Sequence, residues 1–422
     1  MGTSSYLSRI CDNLLQEKLR RTGAVLIVGP KWCGKTATAS EAAQSVIYMQ
    51  DPDRGRSYLA AADTKPSLLL EGDTPRLIDE WQMAPVLWDA VRFAVDQRGM
   101  SGQFILTGSA VPMGNATMHT GTGRIARLAM RTMSLYESSE STGSVSLSDL
   151  FKGKPLSAAF SSLTIESISH AICRGGWPAA VKMQSVDSLK LAQDYVDAII
   201  HQDMSRVDGV ERNPKRVQLL LRSLARNVTT MASNATILKD IEANEGSFSM
   251  PTLDNYLNAL RRIFVIEDQP AWIPSLRSKT AIRTSAKRHF TDPSIAAAAL
   301  RIEPRALLHD FETFGLLFES LCTRDMRIYA QANDGEVFHY RDKNGLEADM
   351  IVALNDGRWG AVEVKLGSRQ IEDASEHLKE LASKVDNKKM GSPSFLMVLT
   401  GGELAYQRED GVYVVPIGCL KP

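Results

Sequence analysis

The sequence is poor in cysteine, has no long apolar run and carries no excess charge of either sign. Its five cysteines are scattered along 422 residues without a Cys-x-x-Cys pair, which argues against a disulfide framework and a zinc ribbon. No apolar run approaches the length of a membrane span and the N-terminus lacks a signal pattern, so we expect a cytoplasmic protein without a membrane partner. The 49 basic and 49 acidic residues balance, so contact with nucleic acid would require a local basic patch.

The most specific motif lies near the N-terminus. An apolar run, Ala24 to Val28, is followed by the pattern G-x-x-x-x-G-K-T and then by a predicted helix. In such a loop, backbone N–H groups surround the β-phosphate, Lys35 adds a positive charge and Thr36 supplies a hydroxyl ligand for Mg²⁺. The motif therefore predicts ATP and Mg²⁺ as cofactors, with ATP held by Gly29, Pro30, Lys31, Trp32, Cys33, Gly34, Lys35, Thr36 and Ala37.

A second apolar stretch, Leu77-Ile78, ends in two adjacent acids. Hydrolysis requires such an acidic strand beside the phosphate loop. We expect Asp79 to hold Mg²⁺ through water, and Glu80 to orient and polarise the attacking water. An Asp-Glu pair is also a common way for a strand to end, but its position after the loop favours the catalytic interpretation.

Four further positions are candidates for contact with the γ-phosphate. The strand-like run Gln103 to Leu106 ends in the hydroxyl residues Thr107 and Ser109, which are typical either of a phosphate sensor or of a simple turn. Arginines 124 and 127 follow, and either could reach the γ-phosphate of a neighbouring subunit as an arginine finger. These arginines suggest a homo-oligomer, although exposed arginines are common.

The order of these motifs resembles that of a family of prokaryotic AAA-like P-loop ATPases, over nearly the whole chain. The resemblance implies a C-terminal domain of uncharacterised function that is similar to the PD-(D/E)XK restriction-endonuclease fold. Two of the segments that carry the resemblance, Met133 to Ser138 and Gly175 to Pro178, identify the family without indicating what they do. The segments that carry the resemblance are Gly29 to Thr36, Leu77 to Gln82, Leu106 to Ser109, Gly123-Arg124, Met133 to Ser138 and Gly175 to Pro178.

The middle of the chain is predicted to be helical, with a winged helix-turn-helix at its end. A helix beginning at Asn234, a second helix over Met250 to Arg262 and the strand-like Phe264 to Ile266 follow the order of that motif. The second helix would read DNA, and a basic run within Gln269 to Thr291 could follow the phosphate backbone. The cations of this run are Arg277, Lys279, Arg283, Lys287 and Arg288. A lid or packing role is the alternative. The residues on the predicted reading face are Asn255, Asn258, Arg261 and Arg262.

The C-terminal region alternates in an α-β-β-β-α-β order. Glu363 and Lys365 alternate with valines and so project from one face of a strand, and Asp349 lies on a neighbouring strand. Together with Glu319 from the preceding helix, the acids could bind Mg²⁺, and Lys365 could orient or deprotonate a water. A salt-bridged surface strand would carry the same residues.

We therefore predict an α/β chain with four regions. They are an AAA-like P-loop ATPase core with a parallel sheet (1–150), a helical lid-like region (151–232), a winged helix-turn-helix (233–290) and a restriction-endonuclease-like domain (291–422). The expected reaction is Mg²⁺-dependent ATP hydrolysis, coupled to DNA binding or processing through the last region. The alternative is an ATP-dependent switch or assembly factor whose C-terminal domain is catalytically inactive and only binds protein or DNA.

Overall fold

The computed structural model describes residues 6–108, 121–183, 186–245, 248–273 and 285–422. The chain forms two compact units. The first comprises Met1–Thr132 with the short pieces Arg206–Val210 and Arg262–Phe264, and the second comprises the remainder. The first unit ends earlier than residue 150, and the three regions predicted from residue 151 onward lie almost entirely in the second unit. No helix in the described part of the chain is both long and apolar enough to cross a membrane.

The first unit is built around a five-stranded sheet in which every strand pair is parallel, in the order β2-β3-β4-β1-β5. Its strands are β1 (Ala24–Val28), β2 (Ser45–Tyr48), β3 (Arg76–Asp79), β4 (Phe104–Gly108) and β5 (Ile125–Ala129). Its helices are α1 (Ile10–Arg21), α2 (Lys35–Ala42), α3 (Gly55–Thr64) and α4 (Val86–Arg98), with 3₁₀ turns at Pro66–Leu70 and Trp81–Met83.

The central strands of this sheet are nearly continuous apolar runs because both of their faces are covered. All five residues of β4 are buried, and four of the five in β1. One apolar cluster includes Leu15 and Leu19 of α1, and the other includes Trp81 and Trp88, whose rings lie 5.0 Å apart. Burial on both faces is the rule for parallel sheets flanked by helices. The predicted parallel-sheet core is thus confirmed.

The remaining helices lie almost entirely in the second unit, and they include the two that were predicted for the helix-turn-helix. A π-helical turn at Ile199–Asp203 joins α8 to α9, and 3₁₀ turns lie at Ser368–Gln370 and Ile417–Cys419. The helices are α5 (Leu147–Phe151), α6 (Ile165–Arg174), α7 (Pro178–Lys182), α8 (Asp187–Ala198), α9 (Met204–Arg206), α10 (Pro214–Arg226), α11 (Asn234–Glu245), α12 (Met250–Arg262), α13 (Pro293–Leu300), α14 (Pro304–Leu307), α15 (Phe311–Ala332), α16 (Ile371–Lys384) and α17 (Asn387–Met390).

A seven-stranded mixed sheet forms the other half of the second unit, in the order β7-β12-β13-β11-β10-β9-β8. β8, β9 and β10 form an antiparallel meander, and β10 pairs in parallel with β11 after the α16 crossover. The predicted order of helix, three strands, helix and strand is confirmed. The strands of this sheet are β7 (Ala159–Phe160), β8 (Gly335–Arg341), β9 (Glu347–Leu354), β10 (Trp359–Lys365), β11 (Phe395–Thr400), β12 (Leu404–Gln407) and β13 (Tyr413–Pro416). Two further strands, β6 (Val145–Ser146) and β14 (Leu420–Lys421), pair with each other in a separate two-stranded sheet.

The winged helix stays a prediction. Both of its helices are present as α11 and α12, but the segment after α12 makes isolated antiparallel bridges, Ile266 to Phe290 and Gln269 to Lys287. The side chains expected to read DNA make contacts within the protein. Asn255 accepts from Arg212 at 2.7 Å, and Arg261 pairs with Asp268 at 2.7 Å. Of the cations predicted to follow a phosphate backbone, Arg277, Lys279 and Arg283 lie outside the described residues.

Two segments had no predicted role, Met133 to Ser138 and Gly175 to Pro178. Both belong to a buried polar network of the second unit. The Gly176 N–H donates to Asp292 at 3.0 Å, and the Trp177 indole N–H donates to Ser294 at 2.9 Å, both at the start of α13. The backbone N–H of Leu135 donates to Asp325 of α15 at 2.9 Å. These segments therefore connect to α13 and α15 through buried hydrogen bonds.

Candidate functional site

The phosphate loop connects β1 to α2 and requires glycine at both of its ends. A Cβ atom at Gly29 would lie 2.0 Å from the carbonyl oxygen of Met130, closer than any side chain could come. Gly34 has a φ of 102°, in the left-handed region that favours glycine. Since Lys35 and Thr36 open α2, the loop N–H groups and the positive end of the helix dipole lie together, as a phosphate site requires.

The Lys35 side chain is buried and folds back over this loop. Its ammonium group donates to the carbonyl oxygens of Gly29 at 2.9 Å and of Pro30 at 2.7 Å. Cys33 is fully buried, whereas the Trp32 side chain is half exposed. The ammonium group of Lys35 thus lies at the mouth of the loop. There it could exchange its hydrogen bonds to backbone carbonyls for hydrogen bonds to phosphate oxygens.

Asp79 is the last residue of β3, and its carboxylate accepts hydrogen bonds from two hydroxyl groups of neighbouring elements. Its Oδ1 accepts from Thr36 at 2.7 Å and from Thr107 at 2.6 Å. Asp79 is fully buried, and its Oδ2 meets no hydrogen-bond donor among the described residues. A buried carboxylate oxygen of this kind beside a threonine hydroxyl suits Mg²⁺, which binds proteins through one or two such oxygens and takes its other ligands from phosphate and water.

Glu80 has an unusual backbone conformation. Its φ of 56° and ψ of 45° are left-handed, which is uncommon for a residue with a side chain and occurs often at functional sites. Burial raises the pKa of its carboxyl group, and the nearby charge of Lys35 partly opposes that rise. The Gln82 side-chain amide donates to the Glu80 carboxylate. Gln82 also lies against Gly108, where a Cβ would come within 2.6 Å of its Oε1.

Two contributors to this site were missed in the sequence. Gln82 lies at the end of the segment Leu77 to Gln82, and its separation of two residues from Glu80 was the available signal. Arg9 gave no signal, since it precedes α1 as a lone basic residue. Its buried guanidinium donates to the carbonyl oxygens of Cys33 at 2.8 Å and Arg131 at 2.9 Å, which ties the phosphate loop to the segment after β5.

Three predicted residues of the ATPase site remain: Arg124, Arg127 and Ser109. Arg124 pairs with Asp96 at 2.8 Å, and the guanidinium of Arg127 lies 5.9 Å from the ring centre of Phe264. Ser109 lies outside the described residues. The arginine-finger role of either arginine and the sensor role of Ser109 stay predictions.

In the second unit, the four predicted residues of the C-terminal region lie close together. The ammonium group of Lys365 contacts Glu363 Oε2 at 2.8 Å and Asp349 Oδ2 at 3.9 Å. Asp349 Oδ2 also accepts from the backbone N–H of Val364 at 2.9 Å. Glu319 enters from α15. We refer to Glu319, Asp349 and Glu363 as the carboxylate cluster.

A further residue, Lys287, contacts the carboxylate cluster. Its Nζ lies 3.0 Å from Glu319 Oε1 and 3.1 Å from Asp349 Oδ1. The sequence had placed Lys287 only in a basic run facing DNA. Among the described residues, no group of three or more His, Cys, Asp or Glu side chains is arranged to hold a metal ion. As arranged, the carboxylate cluster does not fit the predicted Mg²⁺, because a lysine bridges two of its acids.

The charges within the cluster affect one another strongly. Burial raises the pKa of Glu363 to about 8 and that of Glu319 to about 7, and the charge of Asp349 adds to both rises. Burial also acts on Asp349, but the charges of Lys287 and Lys365 outweigh it and lower the pKa of this carboxyl group. The two lysines therefore favour the ionised form of Asp349, whereas burial disfavours the ionised forms of Glu319 and Glu363.

Glu319, Asp349 and Lys365 line a cavity of about 950 Å³. Phe311, with 63% of its surface exposed, and Arg369, which follows β10 in the chain, also line this cavity. An exposed ring and a cation around an acidic centre are compatible with an extended polar ligand.

Comparison with known proteins agrees with part of this description. Residues 21–139 match a family described as an AAA domain, and residues 165–306 and 314–420 match two domains of unknown function, DUF8612 and DUF4143. A similar solved structure is the Walker-type ATPase PABY2304 of Pyrococcus abyssi, with 14% identity, coverage of 69% of this chain and 94% of that chain, and a TM-score of 0.41. No curated protein matches.

The parallel sheet, the geometry of the phosphate loop and the AAA-domain match together support an AAA-like P-loop ATPase domain at the N-terminal end. The match over the C-terminal part is to a domain of unknown function, and it does not support the predicted PD-(D/E)XK assignment.

Proposed function

We propose that the protein hydrolyses ATP to ADP and phosphate at the edge of its parallel sheet. The observation that carries this proposal is the convergence on Asp79 of hydroxyl groups from two other elements, Thr36 of α2 and Thr107 of β4. These are the chain's candidate ligands for a metal and for the γ-phosphate. Asp79 and Thr107 lie at the carboxyl ends of adjacent strands, and Thr36 lies at the start of α2. Such edges are where nucleotides bind in open α/β sheets.

Each residue then has a distinct task. Lys35 and the loop N–H groups neutralise the phosphates, and Thr36 with Asp79 would hold Mg²⁺, which when bound neutralises charge on the phosphate oxygens. Glu80 orients the attacking water and accepts its proton, a task that suits a carboxyl group whose pKa is raised by burial. Gln82 acts as a positioning residue, since its amide holds the Glu80 carboxylate.

The variant Lys35→Ala tests nucleotide binding. We expect it to lose detectable ATP binding by calorimetry and to release no phosphate, because Lys35 is the buried cation whose ammonium group lies against the loop carbonyls. Lys65→Ala removes an exposed lysine of the same unit and serves as the matched control, with wild-type behaviour expected. Wild-type phosphate release by Lys35→Ala would contradict the proposal.

We further propose that ATP turnover is coupled to DNA binding or processing by the C-terminal part of the chain. The observation that favours it is the contact of Asp349, Glu363 and Lys365 beside an open cavity. The alternative, an ATP-dependent switch or assembly factor with an inactive C-terminal domain, is favoured by the lysine that bridges two of the acids. Assembly into a homo-oligomer belongs to both versions and stays a proposal.

A cleavage assay separates these two versions. Plasmid and single-stranded DNA are incubated with Mg²⁺ or Mn²⁺ and ATP, and the wild type is compared with Lys365→Ala. If the cluster cuts DNA, the variant should lose the activity, because Lys365 is the group placed to orient water beside Asp349. Lys379→Ala, which removes a surface lysine paired with Asp410, is the control. Absence of cleavage, or equal cleavage by both proteins, supports the switch.

A further inference from the structure

Lys287 is held rigidly beside the carboxylate cluster. Its backbone exchanges two hydrogen bonds of 2.9 Å with Gln269, and the Gln269 side chain donates to the carbonyl oxygens of Phe338 and Asp349 at 2.9 and 3.0 Å. The Lys287 side chain is only 5% exposed. A lysine from a separate segment is thus fixed against β9, with its ammonium group directed at the acids.

The position of the ammonium group is the one that a metal would need. It touches one oxygen of Glu319 and one of Asp349, at 3.0 and 3.1 Å. A divalent ion such as Mg²⁺ would take the same oxygens at about 2.0–2.1 Å. Both cations cannot share these oxygens, because the two positive charges would lie within a few ångströms of each other in a buried site.

The charges that surround Lys287 also stabilise it. Its ammonium group contacts a carboxylate oxygen of Glu319 and one of Asp349, so opposite charges face it in the buried site. Removing it would leave the acids with Lys365 as their single cationic partner within the described cluster, and Lys365 is placed toward Glu363 rather than Glu319.

We propose that Lys287 is the resident cation of the carboxylate cluster and excludes divalent metal from it. The cluster then becomes a divalent-cation site, with Glu319, Asp349 and Glu363 as its oxygen donors, only when the Lys287 ammonium group is absent. This inference goes beyond ATP hydrolysis. It also sets a condition for the proposed DNA processing, because a metal-dependent reaction at this cluster would require Lys287 to leave its place first.

Titration with Mn²⁺ in the absence of nucleotide and DNA tests the proposal on the full chain. Carboxylate oxygens suit Mn²⁺, and free Mn²⁺ can be counted by electron paramagnetic resonance. We expect Lys287→Met to bind one additional ion at least roughly tenfold more tightly than the wild type does. Bound Mn²⁺ should also raise the unfolding midpoint of Lys287→Met more than that of the wild type.

Three further proteins make the result interpretable. The double variant Lys287→Met/Asp349→Asn should lose the additional ion, and Lys379→Met, which removes a surface lysine, should behave as the wild type. Lys287→Gln keeps a hydrogen-bond donor for the acids without the charge, and it replaces the methionine variant if that protein does not fold. Because the assay contains neither ATP nor DNA, its outcome is independent of turnover and cleavage.

Two results would overturn the proposal. In the first, the wild type binds one Mn²⁺ ion that Asp349→Asn removes, which would show that Lys287 does not exclude metal. In the second, folded Lys287→Met and Lys287→Gln bind no additional ion, which would show that the acids are not a metal site even without the lysine.

Discussion

Replacing Glu80 by glutamine is expected to lower the rate of ATP hydrolysis by about 100-fold or more while leaving ATP binding intact. The substitution keeps the size of the side chain and its hydrogen bond to Gln82, but it removes the group that can accept a proton from water. The residues that hold the phosphates, Lys35 and the loop N–H groups, are unchanged. Phosphate release and ATP calorimetry measure the two effects separately.

The matched control is Glu71→Gln, which makes the same change at an exposed position of the same unit and should leave both measurements unchanged. If Glu80→Gln hydrolysed ATP at the wild-type rate, Glu80 would not be the residue that activates water. Loss of binding together with turnover would instead place Glu80 among the groups that hold the nucleotide. The left-handed backbone at Glu80 makes glutamine preferable to alanine as the test, since it preserves the local contacts.

Replacing Arg324 by methionine is expected to destabilise the second unit by about 3–5 kcal/mol. The Arg324 guanidinium is buried and pairs with Asp325 at 2.7 Å and Asp292 at 3.2 Å, both of them fully buried. Methionine fills a similar volume but removes the cation that pairs with these two buried carboxylates. Urea or thermal unfolding of the full chain measures the loss, with a fall in the melting temperature of about 10 °C expected.

The loss should depend on pH. Burial raises the pKa of Asp325 to about 6 even with Arg324 beside it, and without the arginine this pKa should rise further. A carboxyl group whose pKa is higher in the folded state contributes stability at low pH that is lost as pH rises through the folded-state pKa. The deficit of Arg324→Met relative to the wild type should therefore be smaller at pH 5 than at pH 8.

Two variants accompany this measurement. Arg324→Met/Asp325→Asn also removes the charge of Asp325, which has lost its pairing with Arg324, and should recover part of the stability. Arg341→Met removes a half-exposed arginine that pairs with Glu347 at 3.1 Å, and it should leave the melting temperature nearly unchanged because exposed pairs contribute little. A deficit of Arg324→Met that is absent or equal at both pH values would mean that the carboxylates do not depend on this arginine.

The ATPase site was largely predictable because its parts are local. The phosphate loop is one contiguous string between a strand and a helix, and chain connectivity alone fixes where its N–H groups point. Asp79 and Thr107 end parallel strands that are neighbours in the sheet, so their side chains meet at one edge. Gln82 needed only the knowledge that a turn follows Glu80. Arg9 could not be foreseen, since its contact with Cys33 spans 24 residues and follows no pattern.

The C-terminal cluster was predictable only in part. Glu363 and Lys365 alternate along one strand, which places them on the same face, and the meander brings β9 beside β10. Lys287 reaches Asp349 across 62 residues from a segment with no regular pattern. The roles of the segments around Leu135 and Gly176 could not be predicted either, because their hydrogen bonds are to the distant helices α15 and α13.

By itself, then, the sequence determined the phosphate loop, the acidic strand end and the alternation of the C-terminal strands, because each depends on neighbours along the chain and on the fixed periods of helix and strand. Only the tertiary structure decided which charges neutralise the buried acids: Arg324 beside Asp292, and Lys287 beside Asp349. Such pairings depend on how distant segments pack, and a buried charge must find its partner wherever the fold brings one.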